Sequence, residues 1–296
     1  MSDAADQVRL GTSELVVGPI AYGCWRLADG DLASAEANVT TALDSGWTLI
    51  DTADIYGWDG TEGFGEAESM LGEVLARQPG LRDRMVLATK GGIRPGVPYD
   101  WSARYLRQAC EDSLRRLGVD VIDLYQLHRP DVLAHPSEVA DALGDLHDRG
   151  LVRAFGLSNV TTSQFDLLQQ HLDVPLATTQ PELSIWHSEP VRDGTLDQCL
   201  ARTVTPLAWS PLGGGRVAPG AGDAVTVELQ RLAALHGVGA AEVALAFVMA
   251  HPARPVPIIG TQRPERIRAA AQALGVQLGR AEWYGLYQAG TGEPLP

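Results

Sequence analysis

The chain has 296 residues and carries 23 Lys and Arg against 37 Asp and Glu, a formal net charge of −14 at pH 7. That charge argues against nucleic acid and anionic membranes as partners, and no apolar run approaches the roughly 20 residues of a membrane span. The opening MSDAADQVRL lacks a basic region followed by an apolar core, so no secretion signal is expected. Three cysteines, Cys24, Cys110 and Cys199, lack metal-like or disulfide-like spacing and suit a reducing cytoplasm.

In chain order, Val8–Leu10, a Gly11-Thr12-Ser13 turn and Glu14–Val17 predict a short two-stranded hairpin. Ile20–Trp25 is the next apolar run, and Ala33–Ser45 has helical spacing that stops at Gly46. Trp47–Ile50 predicts a strand ending in Asp51, Gly65–Ala76 a helix, and Met85–Thr89 a strand ending in Lys90. Ser102 caps a helix that Gly118 closes. The buried strand after it, in VIDLYQLHRPD (residues 121–131), ends at His128, since Pro130 cannot continue a sheet. Pro136–Arg149 is helical up to Gly150, Val152–Leu157 a strand ending at Ser158-Asn159, Thr161–His171 a helix, and Leu176–Thr179 a strand ending at Gln180. Gly194–Arg202 is helical, and Val204–Trp209 is a strand followed by a glycine-rich loop. Glu228–Ala250 holds two helical stretches split at Gly237, Pro255–Ile259 is a strand, and Pro264–Leu274 and Arg280–Ala289 are the last helices.

Strand and helix thus alternate about eight times, with short, nearly continuous apolar strands of the kind covered on both faces in parallel sheets. An uninterrupted run of that kind favours a closed α/β barrel, the (β/α)8 or TIM barrel, with an N-terminal hairpin and extra C-terminal helices. An open doubly wound sheet would carry G-x-G-x-x-G after its first strand; Ile20–Asp31 holds nothing of that form. No linker or change of composition divides residues 1–296, which predicts a single domain. In such barrels the catalytic groups lie at the C-terminal ends of the strands. Asp51, Lys90, His128, Ser158, Gln180 and Trp209 fall there.

Tyr56 follows Asp51 by five residues, in DTADIYG. A nearby ammonium lowers a phenol's pKa from its ordinary value near 10, so Lys90 is suited to tune Tyr56. Asp51 offsets the cost of burying Lys90. Tyr56 then serves as general acid and His128 orients a carbonyl. On spacing alone, Asp51–Lys90 also fits an ion pair that merely closes the barrel end, and Tyr56 a packed loop aromatic. Ser158-Asn159 also fits a cap for the helix at Thr161.

DTADIYG, the lysine of LATKGG and SLRRLGVDVIDLYQLHRPD resemble the signature segments of the aldo-keto reductases. FGLSNV, TTQPELS, AWSPLGGG and IIGTQRPERIR match that family's cofactor segments in order, and the resemblance spans roughly residues 7–275, most like a bacterial sub-branch of predicted oxidoreductases. The resemblance implies an eight-fold barrel whose bottom the hairpin closes, binding NADP(H) without a dinucleotide fold. It assigns catalysis to Asp51, Tyr56, Lys90 and His128. Ser158, Asn159 and Gln180 match residues that hold the nicotinamide carboxamide, and Trp209 matches an aromatic, usually tyrosine, that stacks on its ring. Cys24, beside Trp25 near the nicotinamide ribose, replaces a common threonine. Ser210, Leu212, Gly213 and Gly214 match the pyrophosphate loop, where glycines let backbone N–H groups approach anionic oxygens and Arg216 adds charge. Ile259, Gly260, Thr261, Arg263 and Arg266 match the 2′-phosphate segment, for which arginine's paired donors are suited; Arg268 fits a solvated helix face. Gly260, Ala269 and Ala270 replace the lysine, glutamate and asparagine that many members have, which implies a looser hold on adenine and leaves NAD(H) open beside NADP(H).

The sequence therefore favours an NADP(H)-dependent oxidoreductase that reduces aldehydes or ketones, with a small carbonyl compound as its partner. A cofactor-binding sensor or accessory subunit with slow turnover is the alternative. A metal-dependent barrel hydrolase using Asp51 and His128 is disfavoured by the missing H-x-H pair. Trp25, Trp58 and Trp186, on loops at the open end, are candidates for an apolar pocket wall. The substrate itself, the direction of the reaction and the oligomeric state are not written in these residues.

Overall fold

The computed structural model describes residues 7–218 and 222–295; Met1–Asp6, where no secretion signal is expected, lie outside them. β1 (Val8–Arg9) and β2 (Val16–Val17) pair antiparallel, with Val8 opposite Val17. The chain then runs through β3 (Ala21–Gly23), β4 (Leu49–Asp51), β5 (Val86–Gly91), a small antiparallel pair β6 (Ile93–Arg94) and β7 (Val97–Tyr99), then β8 (Ile122–Leu127), β9 (Val152–Ser158), β10 (Leu176–Gln180), β11 (Thr205–Ala208) and β12 (Val256–Ile259). All but β1, β2, β6 and β7 form a closed parallel barrel, in which Ile258 of β12 sits opposite Ala21 of β3. This is the expected (β/α)8 architecture.

The helices are α1 (Leu32–Asp44), α2 (Glu66–Arg77), α3 (Ala103–Leu117), α4 (Pro136–Asp148), α5 (Thr162–Gln169), α6 (Thr195–Arg202), α7 (Ala224–His236), α8 (Ala240–Met249), α9 (Pro264–Ala269) and α10 (Arg280–Thr291). Their ends follow local chemistry. Ser102 Oγ accepts from the Tyr105 N–H, and Gly118 closes α3 at φ 65°. α5 is capped not by Ser158-Asn159 but by a reciprocal pair: Thr161 Oγ1 accepts from the Gln164 N–H, and Gln164 Oε1 from the Thr161 N–H. α7 starts four residues earlier than expected because Asp223 caps it, accepting from the Thr226 N–H at 2.7 Å; the β-branched Val225, Thr226 and Val227 hide that start from propensity. After Pro264 the α-helix ends at Ala269 and tightens into a 3-10 turn over Ala270–Gly275. No single helix among the described residues is long and apolar enough to cross a membrane.

Leu49, Ala88, Leu124, Ala154, Leu207 and Val256 fill the barrel together with Leu10, Leu15 and Val17 of the hairpin. The hairpin therefore plugs the end where the strands begin. Thr205, the first residue of β11, donates its hydroxyl to the Arg9 carbonyl and accepts from the Gly11 N–H, both at 2.9 Å. Gly11 has φ 56°, and a Cβ there would lie 2.7 Å from the Ala177 carbonyl oxygen. Gly11→Ala is thus expected to cost about 1–3 kcal/mol of stability, read from the urea midpoint at unchanged m-value. Outside the barrel the helices pack their apolar faces on the strands: Leu106 of α3, Leu143 and Leu146 of α4 and Phe155 of β9 share one buried cluster.

The β6–β7 pair was not foreseen. Its residues are half-buried or exposed and show no alternation, and Gly96 (φ 82°) turns it after Pro95. It extends the loop between β5 and α3, at the end of the barrel opposite the plug.

Candidate active site

β4, β5 and β8 bring Asp51, Lys90 and His128 to one rim. Tyr56 joins them from the β4–α2 loop, where its N–H donates to the Ala53 carbonyl at 3.1 Å and its carbonyl accepts from Ala67 at 3.2 Å. Lys90 is wholly buried. Its three N–H donors are all used: Nζ lies 2.7 Å from Asp51 Oδ2, 2.8 Å from the Thr52 carbonyl and 3.1 Å from the Tyr56 hydroxyl. A buried ammonium with every donor matched and a carboxylate in contact keeps its charge. Burial works against that charge, yet Asp51 and Tyr56 together hold the Lys90 pKa above its ordinary value.

Asp51 is fixed from its other oxygen. Oδ1 accepts from Gln126 Nε2 at 3.2 Å and Gln180 Nε2 at 3.1 Å, and Gln126 Oε1 in turn accepts from the Thr178 hydroxyl at 3.3 Å. Gln126 carries only a faint signal in the sequence, a lone amide inside the buried run Ile122–Leu127. Two neutral amides orient the carboxylate without competing for its charge.

One expectation is overturned. Lys90 does pull the Tyr56 pKa down, but burial outweighs it, and the net shift is upward. Tyr56 therefore holds its proton through neutral pH, which is the state a general acid needs. His128, whose ring meets the Tyr56 ring edge-on at 5.7 Å, moves the other way. Burial, then Lys90 and Arg129, drive its pKa well below the ordinary value, so its imidazole is neutral.

A second network ties β8, β9, β10 and the end of β11. Asn159, at φ 58°, a conformation asparagine tolerates, uses its whole side chain: Nδ2 donates to the His128 carbonyl (3.1 Å) and Ser158 Oγ (2.7 Å), and Oδ1 accepts from the Trp209 indole N–H (2.9 Å). Ser158 Oγ donates to the Gln180 carbonyl at 2.9 Å. Cys24 lies inside the core, where burial and then Asp51 push its thiol pKa upward.

The remaining candidates sit on the segments that follow the strands. Trp25 is exposed with the Arg26 guanidinium over its ring at 5.6 Å, and Trp58 meets Phe64 edge-on. Trp186, from the loop after β10, packs instead against the loop after β11: a Gly213 Cβ would lie 2.5 Å from its ring, and its indole N–H donates to Asp223 at 3.3 Å. Gly213, Gly214 and Gly215 all have positive φ, and nothing lies within 4 Å of a Cβ placed on Gly214 or Gly215. Ser210 and Leu212 are half-buried and Arg216 exposed in the same loop. Past Ile259 at the end of β12, Gly260, Arg263, Arg266 and Arg268 are exposed and Thr261 half-buried. Gln262, also not foreseen, steadies this segment, donating to the Tyr22 hydroxyl at 3.2 Å and accepting from Asn38 Nδ2 at 3.1 Å. Ala270 is buried in the core, out of reach of a bound adenine. No group of three His, Cys, Asp or Glu among the described residues is placed to hold a metal ion.

A family model described as the aldo/keto reductase family matches residues 19–288. The chain belongs to the aldo/keto reductase family. It is 52% identical to a 6-dehydroglucose reductase of Novosphingobium aromaticivorans over 97% of this chain and 96% of that protein. It is 38% identical to a 6-dehydroglucose reductase of Agrobacterium fabrum, over 96% and 98% respectively. Among solved structures, the glycerol dehydrogenase of Gluconobacter oxydans superposes with a TM-score of 0.85 at 26% identity, covering 99% of this chain and 98% of that one. As an aldo/keto reductase family member the chain is an oxidoreductase acting on carbonyl compounds.

Proposed function

We propose that this chain reduces aldehydes or ketones to alcohols with NADP(H), NAD(H) being the alternative cofactor, and that Tyr56 gives the proton to the carbonyl oxygen. The observation that carries the reading is the Tyr56 hydroxyl held 3.1 Å from a fully buried, fully bonded Lys90. As the proton leaves, negative charge grows on the phenol oxygen, and the Lys90 ammonium is already aimed at it. Such preorganised charge lowers the barrier without reorganisation. Neutral His128 stands beside Tyr56 to orient the carbonyl.

The cofactor, when bound, supplies or takes up the hydride. The chain's residues fit it: open backbone at Gly214 and Gly215 suits a pyrophosphate, and exposed Arg263 and Arg266 suit a 2′-phosphate in an otherwise acidic protein. Trp209 would stack on the nicotinamide, with Ser158, Asn159 and Gln180 beside its carboxamide, Trp25 near the ribose, and Trp25 and Trp58 walling the substrate; Cys24, wholly buried in the core, is removed from the ribose site. The names of the two relatives add a sugar aldehyde of the 6-dehydroglucose kind to the substrates worth testing.

Titration with NADPH and NADH, followed by turnover of an aldehyde and ketone panel with whichever binds, tests the reading. NADPH is expected to bind tighter and to be consumed with aldehydes. Tight binding with no carbonyl reduced would assign the chain a sensing role instead.

A further inference from the structure

Beyond its charge acting on His128, Arg129 has no part in the site described so far. Most arginines of this acidic chain face carboxylates: Arg82 and Arg153 hold Asp123, Arg116 holds Glu68, and Arg94 holds Asp100. Arg129 is half-buried, follows His128 directly, and pairs with no carboxylate among the described residues. Its guanidinium carbon instead lies 5.7 Å from the centre of the Trp209 ring.

Three constraints hold it there. The His128 carbonyl, part of the peptide leading into Arg129, is bonded by Asn159, and the same Asn159 accepts the Trp209 indole N–H. One side chain thus fixes both the root of the arginine and the aromatic beneath it. Pro130 restricts the backbone of Arg129 to extended conformations. A guanidinium held over an aromatic ring, with no carboxylate spending its N–H donors, offers them as a planar fork for two acceptor oxygens. An arginine so prepared beside the carbonyl-orienting histidine, with no oxygen partner among the described residues, is arranged to receive one from a ligand.

We propose that Arg129 is a specificity-determining residue, holding the hydroxyl oxygens of a polyhydroxylated aldehyde through paired N–H donors while His128 and Tyr56 face its carbonyl. This rests on the carbonyl-reductase reading above and adds to it the class of substrate preferred. The same fork would also take a carboxylate, so the test separates the two.

Wild type, Arg129→Met and Arg129→Lys are assayed with D-glyceraldehyde and propanal, which share three carbons and differ in hydroxyls, and with anionic glyoxylate; thermal melts confirm that each variant is folded. The ratio of kcat/KM for D-glyceraldehyde over propanal is expected to fall on the order of 10- to 100-fold in Arg129→Met, mainly through KM. Arg129→Lys, which keeps the charge and loses the fork, should recover only part of it. An unchanged ratio overturns the proposal. So does an equal loss with both aldehydes, which would place Arg129 in the general electrostatics of His128. A loss confined to glyoxylate overturns it in favour of a carboxylate. Wild type that binds NADPH and reduces none of these, or 6-dehydroglucose, removes the underlying reading itself, an outcome distinct from a wild type active on both aldehydes with an unchanged ratio.

Discussion

Tyr56→Phe is expected to keep NADPH binding and to lose about 10²–10⁴-fold in kcat for carbonyl reduction. The phenylalanine fills the same space, so the loss is that of a proton donor and not of packing. Burial holds the Tyr56 pKa above its ordinary 10.0, and the phenol therefore remains protonated throughout the neutral range. Reduction should accordingly decline only in strongly alkaline solution, as that proton is lost. Cofactor affinity from fluorescence titration, set beside steady-state rates, checks this, and undiminished turnover by Tyr56→Phe would remove the tyrosine from the mechanism.

Lys90→Met should be severe in a second way. It leaves Asp51 charged and buried without its cation, and breaking a buried pair from one side costs about 3–5 kcal/mol. It also removes the charge that stabilises the forming phenolate, so turnover falls with stability. Adding Asp51→Asn to Lys90→Met tells the two effects apart. The neutral amide can still accept from Gln126 and Gln180, so denaturant unfolding should show stability partly restored while activity stays lost. In the unaltered protein the folded-state pKa of Lys90 lies above the ordinary 10.5. The stabilisation that Lys90 contributes is therefore complete below that pH and disappears as pH rises through the raised folded-state value.

The barrel was legible because its strands are short apolar runs, and because Gly46, Gly118 and Gly150 mark where helices stop. Asp51, Lys90 and His128 were legible because each is an ionisable residue ending such a run. What stayed hidden depends on the third dimension. The charge acting on Tyr56 could be read from its neighbours in the motif, but the burial that reverses the net shift could not. Gln126 is one polar residue in a strand until the closed barrel sets it against an oxygen of Asp51. Asn159 looks like a helix cap until Thr161 is seen in that role and its amide is found bridging His128 to Trp209. The β6–β7 pair lacks both periodicity and a buried face, so only the Pro95-Gly96 turn announces it.

That pair carries a consequence for how such a protein diversifies. Val97 and Tyr99 are exposed on a loop rooted just past Lys90, while the Tyr56 phenol, the ammonium and the carboxylate are locked by bonds to one another and to strand residues. Selection can lengthen, trim or repaint that loop without disturbing the bonded group. Descendants of one ancestral barrel can thus diverge in diet while inheriting the same buried ion pair and the phenol bonded to it.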